Sequence, residues 1–301
     1  RDVVSWNTLL ARYVEQGYGR KTLDHFEKMQ QERISLNSIT SVSILKACSS
    51  EGDIISGHAI HAEIAKKGFE GDLLVGSTLI DMYSKFGLLR TARGLFDKLK
   101  ARDSVSWTTL LSGYAEYGYS KEALECLKQM QNEGIFLNEI TFVWILKACC
   151  NSRDAIMGQE SHANITKMGL EREVLIGNTL VDLYAKCGLF DMAQETFHNL
   201  PSQDTVTWNA LISGYAQKGN CNEAFNCFEQ MQTEGISPNI VSFVGILKAC
   251  SSTGAIDEGQ RIHDVIVRGG FLEKSVVIGT ALIDMYAKCG FLVKAQNLFD
   301  D

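Results

Sequence analysis

The sequence predicts an all-α superhelical solenoid of two-helix repeats, and three observations carry that prediction. Near-copies of Ser104–Tyr114 (SVSWTTLLSGY) stand 101 residues to either side, as VVSWNTLLARY at Val3–Tyr13 and TVTWNALISGY at Thr205–Tyr215. The same interval relates Trp6, Trp107 and Trp208, then Cys48, Cys149 and Cys250, then His61, His162 and His263. Within the repeated stretches apolar residues recur with a period of about 3.6, and no Val/Thr-rich alternation lasts long enough for a sheet. A hairpin of about 35 residues buries too little surface to stand alone, so each must cover its neighbour, which stacks the array.

The period divides into segments of 35, 35 and 31 residues. Trp segments run over 3–37, 104–138 and 205–239. His segments run over 38–72, 139–173 and 240–275, marked by ILKAC and by a later Gly-x-x-x-His (Gly57–His61, Gly158–His162, Gly259–His263). Short segments run over 73–103, 174–204 and 276–301, marked by Leu-Ile/Val-Asp-Met/Leu-Tyr. Nine units result, the first entered just after Arg1-Asp2 and the last truncated at Asp301.

Each unit reads as two helices. In 104–138, Trp107, Leu110, Leu111 and Tyr114 share one helix face and Gly118 closes that helix; Ala123, Leu124, Leu127 and Met130 form a second stripe ending near Gly134. In 205–239, Asn220 with Glu223 three residues on has the spacing of a capping box opening the second helix.

Composition excludes some function classes. No apolar run approaches the roughly 18–20 residues of a membrane span. Nine cysteines, an odd number scattered through apolar helix patterns, point to reduced, packed thiols rather than a disulfide framework. His61-Ala62-Glu63 matches half of a zinc deaminase signature, but its counterparts are His162-Ala163-Asn164 and His263-Asp264-Val265, and no Pro-Cys-x-x-Cys follows. There is no phosphate-binding Gly-rich loop and no nucleophile elbow. No catalytic residue, metal or cofactor is therefore expected.

The stretches VVSWNTLLARY, SVSWTTLLSGY and TVTWNALISGY, with EALECLKQMQNEGI and EAFNCFEQMQTEGI, resemble the pentatricopeptide repeat consensus. The order of a standard unit, a longer one with ILKAC and a short one with Leu-Ile-Asp-Met-Tyr-Ala-Lys-Cys-Gly is similar to the P, L and S triplets of the plant PLS subclass. The resemblance covers the whole chain. It implies a right-handed solenoid that binds single-stranded RNA in mitochondria or chloroplasts and specifies sites of cytidine-to-uridine editing. Its implied partners are organellar editing factors contacting the L units and a deaminase in cis or in trans.

In that family two places in each unit choose the base. The first falls on Asn7, Thr108 and Asn209 in P units and on Ser77, Asn178 and Thr280 in S units; the second is the final residue, Asn37, Asn138 and Asn239, then Asp103 and Asp204. A carboxylate only accepts, which suits the N–H groups of guanine or uracil, whereas an amide also donates. Ser or Thr leaves space for a purine, and the longer Asn favours a pyrimidine. The pairs read Asn7/Asn37 as C, Ser77/Asp103 as G, Thr108/Asn138 as A, Asn178/Asp204 as U and Asn209/Asn239 as C, with Thr280 favouring a purine. L units carry Val42, Val143 and Val244, which make no hydrogen bond to a base, with Asp72, Glu173 and Ser275 at their ends. In the family's parallel orientation the expected target is 5′-CNGANUCN, one base per repeat.

The second residue of each unit is aliphatic: Val4, Ile39, Leu74, Val105, Ile140, Leu175, Val206, Val241 and Val277. The family uses these side chains to sandwich bases; apolar residues at helix starts also serve packing. Asparagines at unit ends likewise serve as caps as well as readers. The net charge of −7 opposes phosphate binding. Against it stand six lysines at fixed places, Lys46, Lys147 and Lys248 in L units and Lys85, Lys186 and Lys288 in S units, either facing the phosphates or forming a solvated helix surface. The competing classes are a peptide-binding helical scaffold and an RNA-protecting factor without editing.

Overall fold

The computed structural model describes residues 2–272 and 275–300; Arg1, ahead of the first unit, Glu273 and Lys274, in the 240–275 segment, and Asp301, in the last unit, lie outside the described residues. Among the described residues there are eighteen α-helices and no strand. They are α1 Val3–Glu15, α2 Gly19–Gln31, α3 Ser38–Glu51, α4 Ile54–Lys66, α5 Leu73–Lys85, α6 Leu89–Lys98, α7 Ser104–Glu116, α8 Ser120–Asn132 and α9 Glu139–Ser152. They continue as α10 Ala155–Lys167, α11 Val174–Cys187, α12 Phe190–Asn199, α13 Thr205–Gln217, α14 Cys221–Thr233, α15 Ile240–Thr253, α16 Ile256–Arg268, α17 Val276–Lys288 and α18 Leu292–Asp300. None is long and apolar enough to cross a membrane.

The chain divides into two compact halves, Arg1–Asn151 and Ser152–Asp301. In the first, the leading helices α1, α3, α5 and α7 pack consecutively, and α2 and α6 each bridge their own leading helix and the next. In the second, α11, α13, α15 and α17 form the same row, with α14 and α16 bridging.

Side-chain burial explains the recurring motifs. Trp107, Leu110, Leu111, Tyr114, Ala123, Leu124, Leu127 and Met130 are all buried, as their spacing predicts. Trp107 meets Phe96 edge-on at 4.4 Å, and Trp208 meets Phe197 at 4.6 Å, so each indole is a wedge against the preceding short segment. In ILKAC the Ile, Leu, Ala and Cys are buried at 44–48, 145–149 and 246–250 while the lysine faces outward. All nine cysteines are free thiols, and burial pushes Cys48 and Cys126 up to about 12 and Cys227 up to about 11, which keeps them protonated and inert.

The repeated histidine joins the His segment to the short segment. His61 Nδ1 lies 2.7 Å from the Tyr83 hydroxyl, His162 Nδ1 2.7 Å from that of Tyr184, and His263 Nδ1 2.9 Å from that of Tyr286. His61 Nε2 also meets Glu70 at 2.9 Å, whereas Glu63 is engaged by Gln30 and Lys67. Gly158 belongs to the same contact, since a Cβ there would stand 2.5 Å from Leu183 Cδ2.

One expected cap is absent. Asn220 precedes α14, but its side chain makes no capping hydrogen bond. Gly219 is left-handed (φ +77), and the Asn220 N–H closes back onto the Tyr215 carbonyl at 2.9 Å. With ψ 72 rather than the extended value of an ordinary N-cap, this tight turn points the amide away from the helix's first N–H groups.

Candidate nucleic-acid interface

The leading helices α3, α5, α7, α9, α13 and α15 begin with a side-chain cap, and that cap is the final residue of the preceding segment, whereas Glu173 and Ser275 make no capping hydrogen bond ahead of α11 and α17. Asn37, Asp103, Asp204 and Asn239 occupy extended backbone and accept from the backbone N–H three residues on, at 2.9, 2.8, 2.9 and 3.1 Å. Asn138 does the same for Thr141 N at 3.0 Å. Capping and an outward position are thus compatible, because the cap uses one side-chain oxygen and leaves the other atom of the carboxylate or amide toward solvent.

Beside three of these caps, Asn37, Asp204 and Asn239, lies the other expected reader. The Asn178 amide stands 3.3 Å from both Asp204 carboxylate oxygens, and the Asn209 amide donates to Asn239 Oδ1 at 3.2 Å. Asn7 and Asn37 are joined through the Thr40 hydroxyl, 2.6 Å from Asn7 Oδ1 and 2.9 Å from Asn37 Oδ1. Thr108 and Thr280 instead return their hydroxyls to their own helix, at Ser104 O (2.8 Å) and Val276 O (3.0 Å). Ser77 is half-buried, and no hydrogen bond joins it to Asp103 among the described residues. The carboxyl of Asp204 would be raised by burial, but the Thr207 N–H, the Thr207 hydroxyl and the Asn178 amide hold it below the ordinary carboxylate range.

The second-position aliphatics are on the outside. Val4, Ile39, Leu74, Val105, Ile140, Leu175, Val206, Val241 and Val277 are each between 49% and 67% exposed. Single exposed apolar residues are ordinary, but nine at one register position are a repeated pattern, and six of them stand one turn before a polar residue at the first reading place.

The lysines separate into two groups. Lys85, Lys186 and Lys288 pair with Asp81, Asp182 and Asp284 one turn earlier, at 2.8, 2.7 and 2.9 Å. Lys46, Lys147 and Lys248 are exposed and meet no carboxylate among the described residues, and Lys147 lies 4.6 Å over the Trp144 ring. The Asp-x-x-x-Lys spacing announced the pairs in the sequence.

Models of the PPR repeat family match residues 1–50, 102–151 and 203–252, and models of the PPR repeat match 77–104, 178–203 and 280–301. This chain belongs to the pentatricopeptide repeat family. It is 37% identical over its whole length to the pentatricopeptide repeat-containing protein At4g18520, chloroplastic, of Arabidopsis thaliana, of which it spans 48%. It is 33% identical over 99% of its length to At3g09040, mitochondrial, from the same plant, of which it spans 29%. The chain thus spans less than half of these relatives. Its structure is similar to that of the pentatricopeptide repeat protein PPR10 crystallised with an 18-nt psaJ RNA element, with a TM-score of 0.62 and 16% identity over 99% of this chain and 49% of that one. That likeness shows the fold, an all-α solenoid of helical hairpins.

Sequence reading did not single out Thr40, Ser106, Thr141, Thr207 and Ser242, each buried at the third residue of its segment and bonded to the preceding cap. Their signal was present as Asn/Asp-x-x-Ser/Thr, repeated five times at segment junctions.

Proposed function

We propose that this chain binds single-stranded RNA by sequence, as a P-L-S array over 3–37, 38–72, 73–103, 104–138, 139–173, 174–204, 205–239, 240–275 and 276–301. Its target is 5′-CNGANUCN, and its role in the parent protein is to set the site of organellar C-to-U editing. Support comes above all from the nine exposed aliphatic residues, one at the second place of every segment, with polar reading pairs in the Trp and short segments. An array that merely packed would bury them, while flat apolar side chains spaced one per repeat suit the faces of successive bases. Asn178 and Asp204 offer one donor and one acceptor, which fits the O4 and N3–H of uracil; the Asn209/Asn239 amides supply donors for the N3 and O2 of cytosine.

The chain itself does no chemistry in this reading. A deaminase elsewhere in the parent or in trans would act on a cytidine placed by the array, and editing factors would contact the L units. Mitochondrion or chloroplast is the proposed location, as in the names of the relatives.

The test is binding to a labelled RNA carrying CNGANUCN against the same RNA with C and A exchanged at the read positions, at two salt concentrations. The expected result is at least tenfold preference for the first RNA, with affinity falling as salt rises. Equal binding to both by a fully helical protein would overturn the base assignments and favour a peptide-binding scaffold.

A further inference from the structure

At eight junctions the sequence matches the inner reading residue of one segment with the third residue of the next. The pairs are Asn7/Thr40, Val42/Val75, Ser77/Ser106, Thr108/Thr141, Val143/Ile176, Asn178/Thr207, Asn209/Ser242 and Val244/Ile278. A hydroxyl follows every polar reader, an aliphatic side chain follows every valine, and all eight third residues are buried. Burial alone asks for apolar residues at such places, so five buried hydroxyls require partners.

The partner is the reader wherever the reader is asparagine. Thr40, Thr207 and Ser242 hydroxyls each lie 2.6 Å from the Oδ1 of Asn7, Asn178 and Asn209. Thr207 and Ser242 also receive the backbone N–H of Asp204 and Asn239, at 3.2 and 3.1 Å, which occupies a lone pair and leaves one proton to donate. The nearest acceptor for that proton is the asparagine carbonyl oxygen, since the cap oxygen stands farther off at 2.9 Å for Thr207 and 3.2 Å for Ser242.

We infer that the third-residue hydroxyl is a positioning residue for base reading: by donating to Oδ1 it locks the asparagine amide so that only its N–H groups face the base. This rests on the RNA-reading function proposed above. An asparagine free to turn over presents either a donor or an acceptor and discriminates poorly. Locked as a donor, it meets an acceptor atom of a pyrimidine, O4 in U where C presents a donor, and with the cap beside it chooses U (Asp204) or C (Asn239). The valine junctions need no lock, and Val75, Ile176 and Ile278 are accordingly aliphatic. The serine and threonine readers hold a different arrangement, because Thr108 satisfies its hydroxyl on its own helix and Thr141 bonds only the cap.

Two variants test the lock, each compared with the unaltered chain on matched RNAs that differ in one base. Thr207→Val keeps shape and removes the donor. Preference for U over C at the sixth base should fall about fivefold, in line with one lost hydrogen bond, while preference for C at the seventh base and the slope of affinity against salt stay unchanged. Thr207→Ser should restore it. A helix-cap role alone would lower stability equally in both measurements without moving the sixth-base ratio. In the second variant, Val42→Asn with Val75→Thr rebuilds the Asn178, Thr207 and Asp204 arrangement on Asp72, and should create a U preference of about fivefold at the second base. Retained U preference in Thr207→Val, or equal reading by Val42→Asn alone and by the double variant, would overturn the inference. Absence of any base preference in the unaltered chain would instead overturn the function on which it rests.

Discussion

His162 Nδ1 and the Tyr184 hydroxyl share a hydrogen bond of 2.7 Å, and this bond ties the second helix of one segment to the leading helix of the next. His263 and Tyr286 repeat it at 2.9 Å. Burial pushes Tyr184 up to about 12, so the phenol keeps its proton and can donate it to Nδ1 of a neutral imidazole.

Burial disfavours the charged imidazole of this pair, which makes stability sensitive to mild acid. Burial lowers both His162 and His263 below the ordinary value, against the opposing pull of Glu171 and Glu195 on the first and of Asp264 on the second; Lys294 lowers His263 further. The folded pKa lies below the unfolded one near 6.5, so the unfolded chain binds protons first. Stability is therefore full above about pH 6.5 and declines as pH falls from there toward the lowered folded values. The urea midpoint should be lower at pH 5.5 than at 7.5, and the difference should shrink in a His162→Gln/His263→Gln variant.

Gly214, in the SGY of the third Trp segment, marks where α13 and α11 approach most closely. A Cβ at this position would collide with the Ala185 Cβ and stand 3.0 Å from the Ala185 carbonyl carbon, which is backbone and cannot rotate aside. Gly214→Ala should destabilise the fold by about 2 kcal/mol despite its higher helix propensity. A thermal melt reads this directly, and unchanged stability would show that the two helices can separate.

The sequence disclosed the helices and the core almost completely, because a fixed 101-residue interval repeats each apolar position three times and averages away local ambiguity. Trp107, Leu110 and Tyr114 needed only the 3.6 period. The site was less legible. Asn37 and Asp204 read equally as caps or readers; the structure shows them as caps, and their reading role is part of the proposal. The exposure of Val4 through Val277 followed from no pattern, since an aliphatic residue at a helix start looks the same whether it faces inward or outward. Asn220 misled because the side-chain spacing of a capping box was present without the extended backbone that makes it work.

Exposure of the second-position residues separates binding from folding. Val105 is 61% exposed, so Val105→Ser removes little buried surface and should change stability by less than about 0.5 kcal/mol. RNA affinity should fall about fivefold, consistent with the loss of part of one base-stacking contact. Filter binding and a denaturant curve on the same preparation check the two halves of this expectation; a large stability loss with unchanged binding would make Val105 a packing residue.

Thr108 provides a change of preference rather than a loss. Thr108 and Asn138 hold the sequence places of Asn209 and Asn239, so Thr108→Asn makes the two junctions alike in reader and cap, with Thr141 at the register position from which Ser242 donates. Preference at the fourth base should move from A to C while the seventh base is read as before. Binding to CNGANUCN and CNGCNUCN decides it.

The acidic partners of the short-segment lysines set the last expectation. Asp81, Asp182 and Asp284 stand one turn beyond Ser77, Asn178 and Thr280 on the same helix face, where they offset Lys85, Lys186 and Lys288 close to where a phosphate backbone would run. Exposed pairs of this kind stabilise a helix by only about 0.3–0.5 kcal/mol each, so replacing the three aspartates by asparagine should leave the fold intact. The substitution removes three negative charges and releases three lysines to phosphate. RNA should bind more tightly at low salt, and the slope of log affinity against log salt should steepen by about 2, at roughly 0.7 per phosphate neutralised on a single strand. Base preference should not change, because the reading pairs are untouched. An unaltered slope would place these lysines away from the RNA and leave Lys46, Lys147 and Lys248 as the cations that meet it.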